Sequence, residues 1–327
     1  MNISCELKDN IEFVTIKNRT GLKIVFADLG ASVFNIYLNN YLLTRNVAFT
    51  KDFTVPSVLN GKTIGRVSNR IKGHEIEING NKYELSANEG DNVLHGGKDG
   101  LSNKKFKKVI RSFNDRVELL YVYLSKHLES GFPGNLLVNV KYIVYDNSNQ
   151  FDVVYSARCD EDTPISLTNH TYFTLANSNI RSLFLKIRSD RYLSTKADLT
   201  ADRVKELPDY LDFSETKRII RDFDNENLHT ERLNGYDHYF YFRNKNLSIP
   251  SITLENSKIE MNIFTDFEGV QIYTSGFESD VRLNQKAPEL FDSVAIEPSD
   301  SFYKLNIVKK NKTYHRTIKY LFRIKDE

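Results

Sequence analysis

The chain has 327 residues, 40% of them hydrophobic and 27% charged, with 45 Lys and Arg against 43 Asp and Glu. A formal charge of +2 supplies no field able to hold nucleic acid or an anionic membrane, so neither partner is expected. Two cysteines, Cys5 and Cys159, make no disulfide framework and match no metal or redox spacing.

The opening MNISCELKDNIEF lacks the basic and apolar regions of a signal peptide. No apolar run approaches the roughly 20 residues of a membrane span, and a cytoplasmic location is expected. From there, period-two alternation recurs along the chain, over residues 11–18, 22–30, 74–85, 116–124, 136–145 and 151–157. These runs are rich in Val, Ile, Tyr and Phe and end in Gly, Asn, Asp or Ser, the signature of short antiparallel strands. Asn79-Gly80 between two of them is a hairpin signal, because a type I′ turn needs positive φ at both central residues. Residues 165–177 continue the alternation. Residues 196–211 have room for a helical turn or two, limited by Pro208. The basic segment 308–325 alternates Ile318, Tyr320, Phe322 and Ile324, which predicts an edge or half-exposed strand. No low-complexity linker divides the chain. The expectation is all-β: one large antiparallel β-sandwich domain spanning 1–327.

Within ISLTNHTYFTLAN, alternation assigns Ile165, Leu167, Asn169, Thr171, Phe173 and Leu175 to one face. Ser166, Thr168, His170, Tyr172 and Thr174 form the other, a row of hydrogen-bonding groups centred on His170. An inward-facing amide at Asn169 must find partners, so it should fix a neighbouring loop or side chain. Elsewhere, His95 precedes Gly96-Gly97, where glycine permits close backbone approach. Asp237 and His238 stand just before a strand, Gln271 and Tyr273 alternate with Val270 and Ile272, and Glu297 ends a strand. Arg66, Asn69 and Arg70 sit among glycines in residues 61–73. Each feature alone fits a structural or solvated residue.

As an ordered set they are specific. GRVSNR (65–70), LHGG (94–97), LTNHTYF (167–173), GYDH (235–238), GVQIYT (269–274) and AIEPSD (295–300) together resemble the galactose mutarotase (aldose 1-epimerase) family. ESGFPGNLLVNVKY (129–142) is similar to that family's Gly-aromatic-Pro-Gly turn, and LDFSETKRI (211–219) to its Asp-Phe loop. The resemblance implies a β-sandwich enzyme without cofactor or metal, interconverting the α- and β-anomers of a free sugar in an open cleft. Glu297 would be the general base at the anomeric O1, and His170 the general acid at the ring oxygen. His95 would bond the sugar near its reacting end, Asp237 and Arg70 would anchor hydroxyls, and Asn69 and Gln271 would add contacts. His238 would orient Asp237. Tyr172, Phe173 and Tyr236 are candidates for stacking on the sugar. The other histidines, His74, His127, His229 and His315, read as surface or structural. Galactose is the family default, with glucose, xylose, arabinose or a modified sugar open, and the oligomeric state, monomer or homodimer, open as well.

Those residue types suit the chemistry independently. Opening a hemiacetal ring removes one proton and delivers another, which a carboxylate and a histidine on different strands can do near neutral pH. There are departures from the family pattern. Thr174 stands where Asn is usual, and residues 269–277 lack the usual Gly-Asn before the aromatic. Only PSDSFYKLNIV separates Glu297 from Lys309, where the family carries a longer loop beside the site. Three alternatives stay open: a glycosidase using Asp237 and Glu297, a sugar-binding relative without turnover, and a zinc set of His95, His170 and Glu297.

Overall fold

The computed structural model describes residues 1–176, 178–230, 232–276 and 290–325. Among these, the alternating runs form antiparallel strands in sheets of five, nine and seven strands, with four two-stranded pieces beside them. Helical structure is confined to short 3-10 turns. The first sheet runs in chain order from Asn2–Lys8 to Tyr41–Leu42. The nine-stranded sheet has Thr313–Ile324 between Gln150–Cys159 and Ile259–Thr265. The seven-stranded sheet orders Ala201–Glu206, Ser189–Thr195, Asp237–Phe242, Gly269–Tyr273, Val294–Ser299, Tyr172–Phe173 and Thr44–Arg45.

Alternation explains the core. On Leu136–Tyr145, the side chains of Leu136, Val138, Val140, Tyr142 and Val144 are fully buried while the intervening ones are not. One buried cluster joins all three large sheets, through Ile24, Tyr142, Tyr155, Ile318, Val270 and Ile296. The Asn79-Gly80 hairpin forms as expected: both residues have positive φ, 53° and 80°, and Ile78 pairs with Asn81.

Three expectations are refined or corrected. The C-terminal strand is half-exposed, as one of its two readings has it, but it is not an edge: it is interior to its sheet, paired on both sides. Its buried Ile318, Tyr320 and Phe322 follow the alternation, but alternation reports faces, and a strand paired on both edges still turns one face to water. Residues 201–206 form a strand paired with Ser189–Thr195, and only Asp209–Leu211 makes a helical turn; pairing outweighs the local helix propensity of Ala, Lys and Glu. Residues 165–177 are not one strand. Thr168–Asn169 pairs with Thr63–Ile64, the chain bends at His170 and Thr171, and Tyr172–Phe173 pairs with both Val294–Ala295 and Thr44–Arg45. The expected polar face is buried rather than open: Ser166 and Thr168 donate to the carbonyls of Asp300 and Pro298.

Candidate active site

The seven-stranded sheet supplies one wall of the site. Gln271 pairs directly with Glu297, and Asp237 with Tyr273. Their neighbours Val270, Ile272 and Ile296 fill the core, so alternation turns Asp237, Gln271, Tyr273 and Glu297 to the opposite face. His170 reaches that face because the bend is tied down. Its N–H donates to the Lys62 carbonyl at 2.9 Å, and its carbonyl accepts from Gly61 N–H at 2.8 Å. Asn169 supports the bend from beneath, donating to the Gly61 carbonyl at 2.8 Å and accepting from the Thr171 hydroxyl.

The other wall comes from two loops. Asn69 N–H donates to His95 Nδ1 at 3.2 Å, and His95 N–H donates to the Asn69 carbonyl at 3.1 Å. Both residues are left-handed, with φ 61° and 54°, a conformation that the surrounding contacts must hold. Gly96 is required beside them: it has φ +88°, and a Cβ there would lie 2.0 Å from the Gly65 carbonyl oxygen.

All seven expected site residues line one cleft of about 400 Å³, together with Leu59, Glu89, Leu94, Tyr172, Leu199, Arg232 and Tyr273. His170 Nε2 and Glu297 Oε1 are 3.3 Å apart, with their side chains only 5% and 2% exposed. The His95 ring meets His170 edge-on, with centroids 5.4 Å apart. Gln271 donates to Asp237 Oδ1 at 2.6 Å. Arg70 donates twice to Glu89, at 2.6 and 2.8 Å, and its Nη1 stands 3.9 Å from Asp237 Oδ2. Asn69 Nδ2, His170 Nδ1, Gln271 Oε1 and Glu297 Oε2 are buried without a hydrogen-bond partner among the described residues. Buried polar atoms seldom stay unsatisfied, and these four leave donors and acceptors on one cleft available to a polar ligand.

Burial dominates the electrostatics. It pushes the Glu297 carboxyl well above its ordinary range, helped by the charge of Asp237 and opposed by Arg70. It lowers His170 to about 4, and lowers His95 with help from His170 and Arg70. Asp237 is raised by burial, partly offset by Arg70 and Gln271. Burial works against the Arg70 cation, but the bonds to Glu89 and the charge of Asp237 more than compensate.

Several finer expectations resolve here. Tyr172 lines the cleft, whereas Phe173 and Tyr236 are fully buried in the core. His238 does not orient the Asp237 carboxylate. Its Nδ1 accepts the Asp237 backbone N–H at 3.2 Å, its ring lies on the other strand face, and Gln271 and Arg70 hold the carboxylate. Arg66 is outside the cleft. Its guanidinium donates to Ser125, Thr163 and the carbonyls of Ser125, Lys126, Pro133 and Gly134, fixing the turn before Leu136–Tyr145. His74, His127, His229 and His315 are exposed. Glu89, Leu199 and Arg232 were not foreseen; Glu89 carries only the weak signal of an acid near LHGG. Among the described residues, none between Pro298 and Lys309 lines the cleft. Phe277 lies outside them.

The zinc alternative has a geometric basis, since donor atoms of His95, His170 and Glu297 lie within 4.8 Å of one another. The surroundings fit a metal poorly. A ligating histidine ordinarily donates its second ring N–H to a carbonyl or carboxylate. Here His95 Nδ1 accepts a hydrogen bond, and His170 Nδ1 has no partner among the described residues.

Residues 12–321 match the family model described as aldose 1-epimerase. The chain is 29% identical to an aldose 1-epimerase from Haemophilus influenzae, over 81% of this chain and 79% of that one. It is 30% identical to human galactose mutarotase, over 66% and 62%. A solved galactose 1-epimerase from Lactobacillus acidophilus superposes with a TM-score of 0.87 at 22% identity, covering 99% of this chain and 98% of that one. An aldose epimerase homologue from C. elegans gives 0.85 at 25%, covering 96% and 99%.

Proposed function

The chain belongs to the aldose 1-epimerase family, and we propose that it interconverts the anomers of a free aldohexose, galactose or glucose, with Glu297 and His170 as its acid–base pair. The observation that carries the residue assignment is the 3.3 Å contact between two fully buried titratable groups in the cleft that also holds Arg70, Asp237 and Gln271.

In the working state Glu297 is ionised and His170 protonated. Glu297 takes the proton from O1 as His170 delivers one to the ring oxygen, and the C1–ring oxygen bond breaks to leave an open-chain aldehyde. Rotation about C1–C2 presents the other carbonyl face. The chain hydroxyl then attacks C1, returning its proton to His170, while Glu297 returns the first proton to O1. Atoms and charge balance, and both groups end as they began. Burial favours the neutral form of each group, and the neutral pair and the working ion pair hold the same single proton between two atoms 3.3 Å apart. Activity needs that one-proton state, which predicts a bell-shaped pH profile belonging to the pair.

Arg70 keeps its direction because Glu89 engages two of its donors, and planar bidentate pairing fixes orientation as well as charge. Asp237 and Gln271 then present a preset acceptor and donor for sugar hydroxyls. The test is optical rotation of freshly dissolved α-D-galactose and α-D-glucose with and without the protein. Failure to accelerate equilibration of any common aldose ends this reading.

A further inference from the structure

The register of the seven-stranded sheet bears on how the acid–base pair meets. Tyr172 pairs with Ala295 and Phe173 with Val294. Carried on along both strands, the same register would set His170 opposite Glu297, on one face of the sheet. The ladder stops before it gets there. Thr168 and Asn169 pair instead with Ile64 and Thr63. Pro298, the residue after Glu297, has no N–H to donate to a further rung.

Side chains take the place of the absent rungs. Thr168 Oγ1 donates to the Pro298 carbonyl at 2.8 Å, and Ser166 Oγ to the Asp300 carbonyl at 3.2 Å. A third tie comes from another sheet. On the C-terminal strand Thr313–Ile324, the Tyr314 hydroxyl donates to Asp300 Oδ2 at 3.0 Å and accepts the Leu167 N–H at 3.2 Å. Arg316 holds the other Asp300 oxygen, from Nε at 2.9 Å and from Nη2 at 2.6 Å. Tyr314 and Asp300 are each 3% exposed, so a bond lost there leaves a buried polar group unpaired. Tyr314 thus joins the segment that carries the acid to the segment that carries the base, without lining the cleft itself.

We propose that Tyr314, together with Thr168 and Asp300, is a positioning residue for the reaction and sets the spacing of His170 and Glu297. O1 and the ring oxygen are bonded to one carbon, so an acid and a base that serve both must be held close together. Both bonds of the Tyr314 hydroxyl go to the acid and base segments, whereas Arg70, His95 and Asp237 stand on others. Loosening the tie therefore harms the chemical step more than the hold on the sugar. This rests on the acid–base reading above.

The test begins with Tyr314→Phe, which removes one hydroxyl. By polarimetry kcat should fall roughly 10–100-fold, the scale of a misplacement of up to about 1 Å, with KM within about twofold. Thr168→Val should act likewise, and Thr168→Ser, which keeps the donor, should retain the parental rate. Tyr145→Phe loses a tyrosine–aspartate bond of the same sheet, to Asp152 at 2.9 Å, and should change neither constant. In a Glu297→Gln background Tyr314→Phe should cost little more, because the pair is already disabled. An equal loss in that background, a risen KM with kcat unchanged, or near-parental kcat in both Tyr314→Phe and Thr168→Val overturns the assignment. Should Tyr314→Phe fail to fold, Thr168→Val against Thr168→Ser decides the same question. If the parent turns over no aldose, the mutarotase reading fails separately, and imidazole NMR across pH still decides the positioning. His170 is assigned by its absence in His170→Asn. The 3.3 Å contact favours the one-proton state of the pair, so its two titration steps should lie closer together in Tyr314→Phe and Thr168→Val. Steps unmoved from the parent's overturn the positioning role.

Discussion

Replacing Glu297 by Gln separates the chemistry of this site from its stability. Gln preserves the shape of the side chain and its reach to His170, but it cannot take a proton from O1. Positioned acid–base groups contribute roughly 10²–10⁴-fold, so turnover should fall by that factor, about 3–5 kcal/mol of barrier at 1.36 kcal/mol per tenfold. Stability should move the other way. Burial, then the charge of Asp237, hold the Glu297 carboxyl well above its ordinary value of 4.5. Between the unfolded and folded values, the unfolded chain has released this proton and the folded chain has kept it. Folding therefore loses stability as pH rises from 4.5 through the folded value. Gln carries no such proton, so Glu297→Gln should melt at or above the parent temperature, with a gap that widens from about pH 4.5 upward. Polarimetry and thermal melts across pH on the same samples measure both effects. Near-parental turnover in the variant refutes the base assignment, and a gap that narrows as pH rises refutes the account of the buried carboxyl. His170→Asn should lose a comparable factor, and the double variant little more than either, because the two groups act as a unit.

Glu89→Gln leaves Arg70 in the cleft but removes its ionised bidentate partner, so KM for the sugar should rise roughly tenfold with kcat within a few-fold; steady-state kinetics giving an unchanged KM would show that the clamp does not position Arg70. His238→Gln addresses acid stability: burial lowers His238 to about 4 from 6.5, so below pH 6.5 the unfolded chain binds a proton that the folded chain refuses. Stability is lost as pH falls toward 4, by about 3 kcal/mol at most from this residue, and the variant should lose correspondingly less between pH 6.5 and 4.5 in urea melts. Prolonged EDTA treatment should leave mutarotation unchanged; loss of activity restored by zinc would instead establish the His95, His170 and Glu297 set as a metal centre.

Much of the fold was legible because burial writes itself into alternation. Leu136–Tyr145 and the Asn79-Gly80 hairpin needed no long-range information, since side-chain parity and φ preference are local. What alternation does not carry is which strand lies alongside. It described the faces of Thr313–Ile324 correctly and missed its interior place, because Lys319 and His315 look the same on an outer face whether the strand edges are paired or free. Local propensity left residues 196–211 room for a helical turn or two; one forms at Asp209–Leu211, while over residues 201–206 a hairpin with Ser189–Thr195 overrides residues that favour helix.

The site divides along the same line. His170 and Glu297 stand out within short sequence motifs, yet the stretch that holds His170 is not the open strand face that parity suggested. It is two short pieces pairing with different partners, and the bend between them, pinned by Gly61, Lys62 and Asn169, is what delivers the ring to Glu297. A continuous strand would have continued the ladder past this point. The groups that local motifs did not reveal, Glu89, Leu199 and Arg232, sit on loops whose only common property is where the sheets bring them. The motifs thus carry the acid–base pair, while much of the remaining lining comes from loops that become neighbours only in the fold. For that reason the choice of sugar is better sought at the turn 196–200 and at Arg232 than at His170.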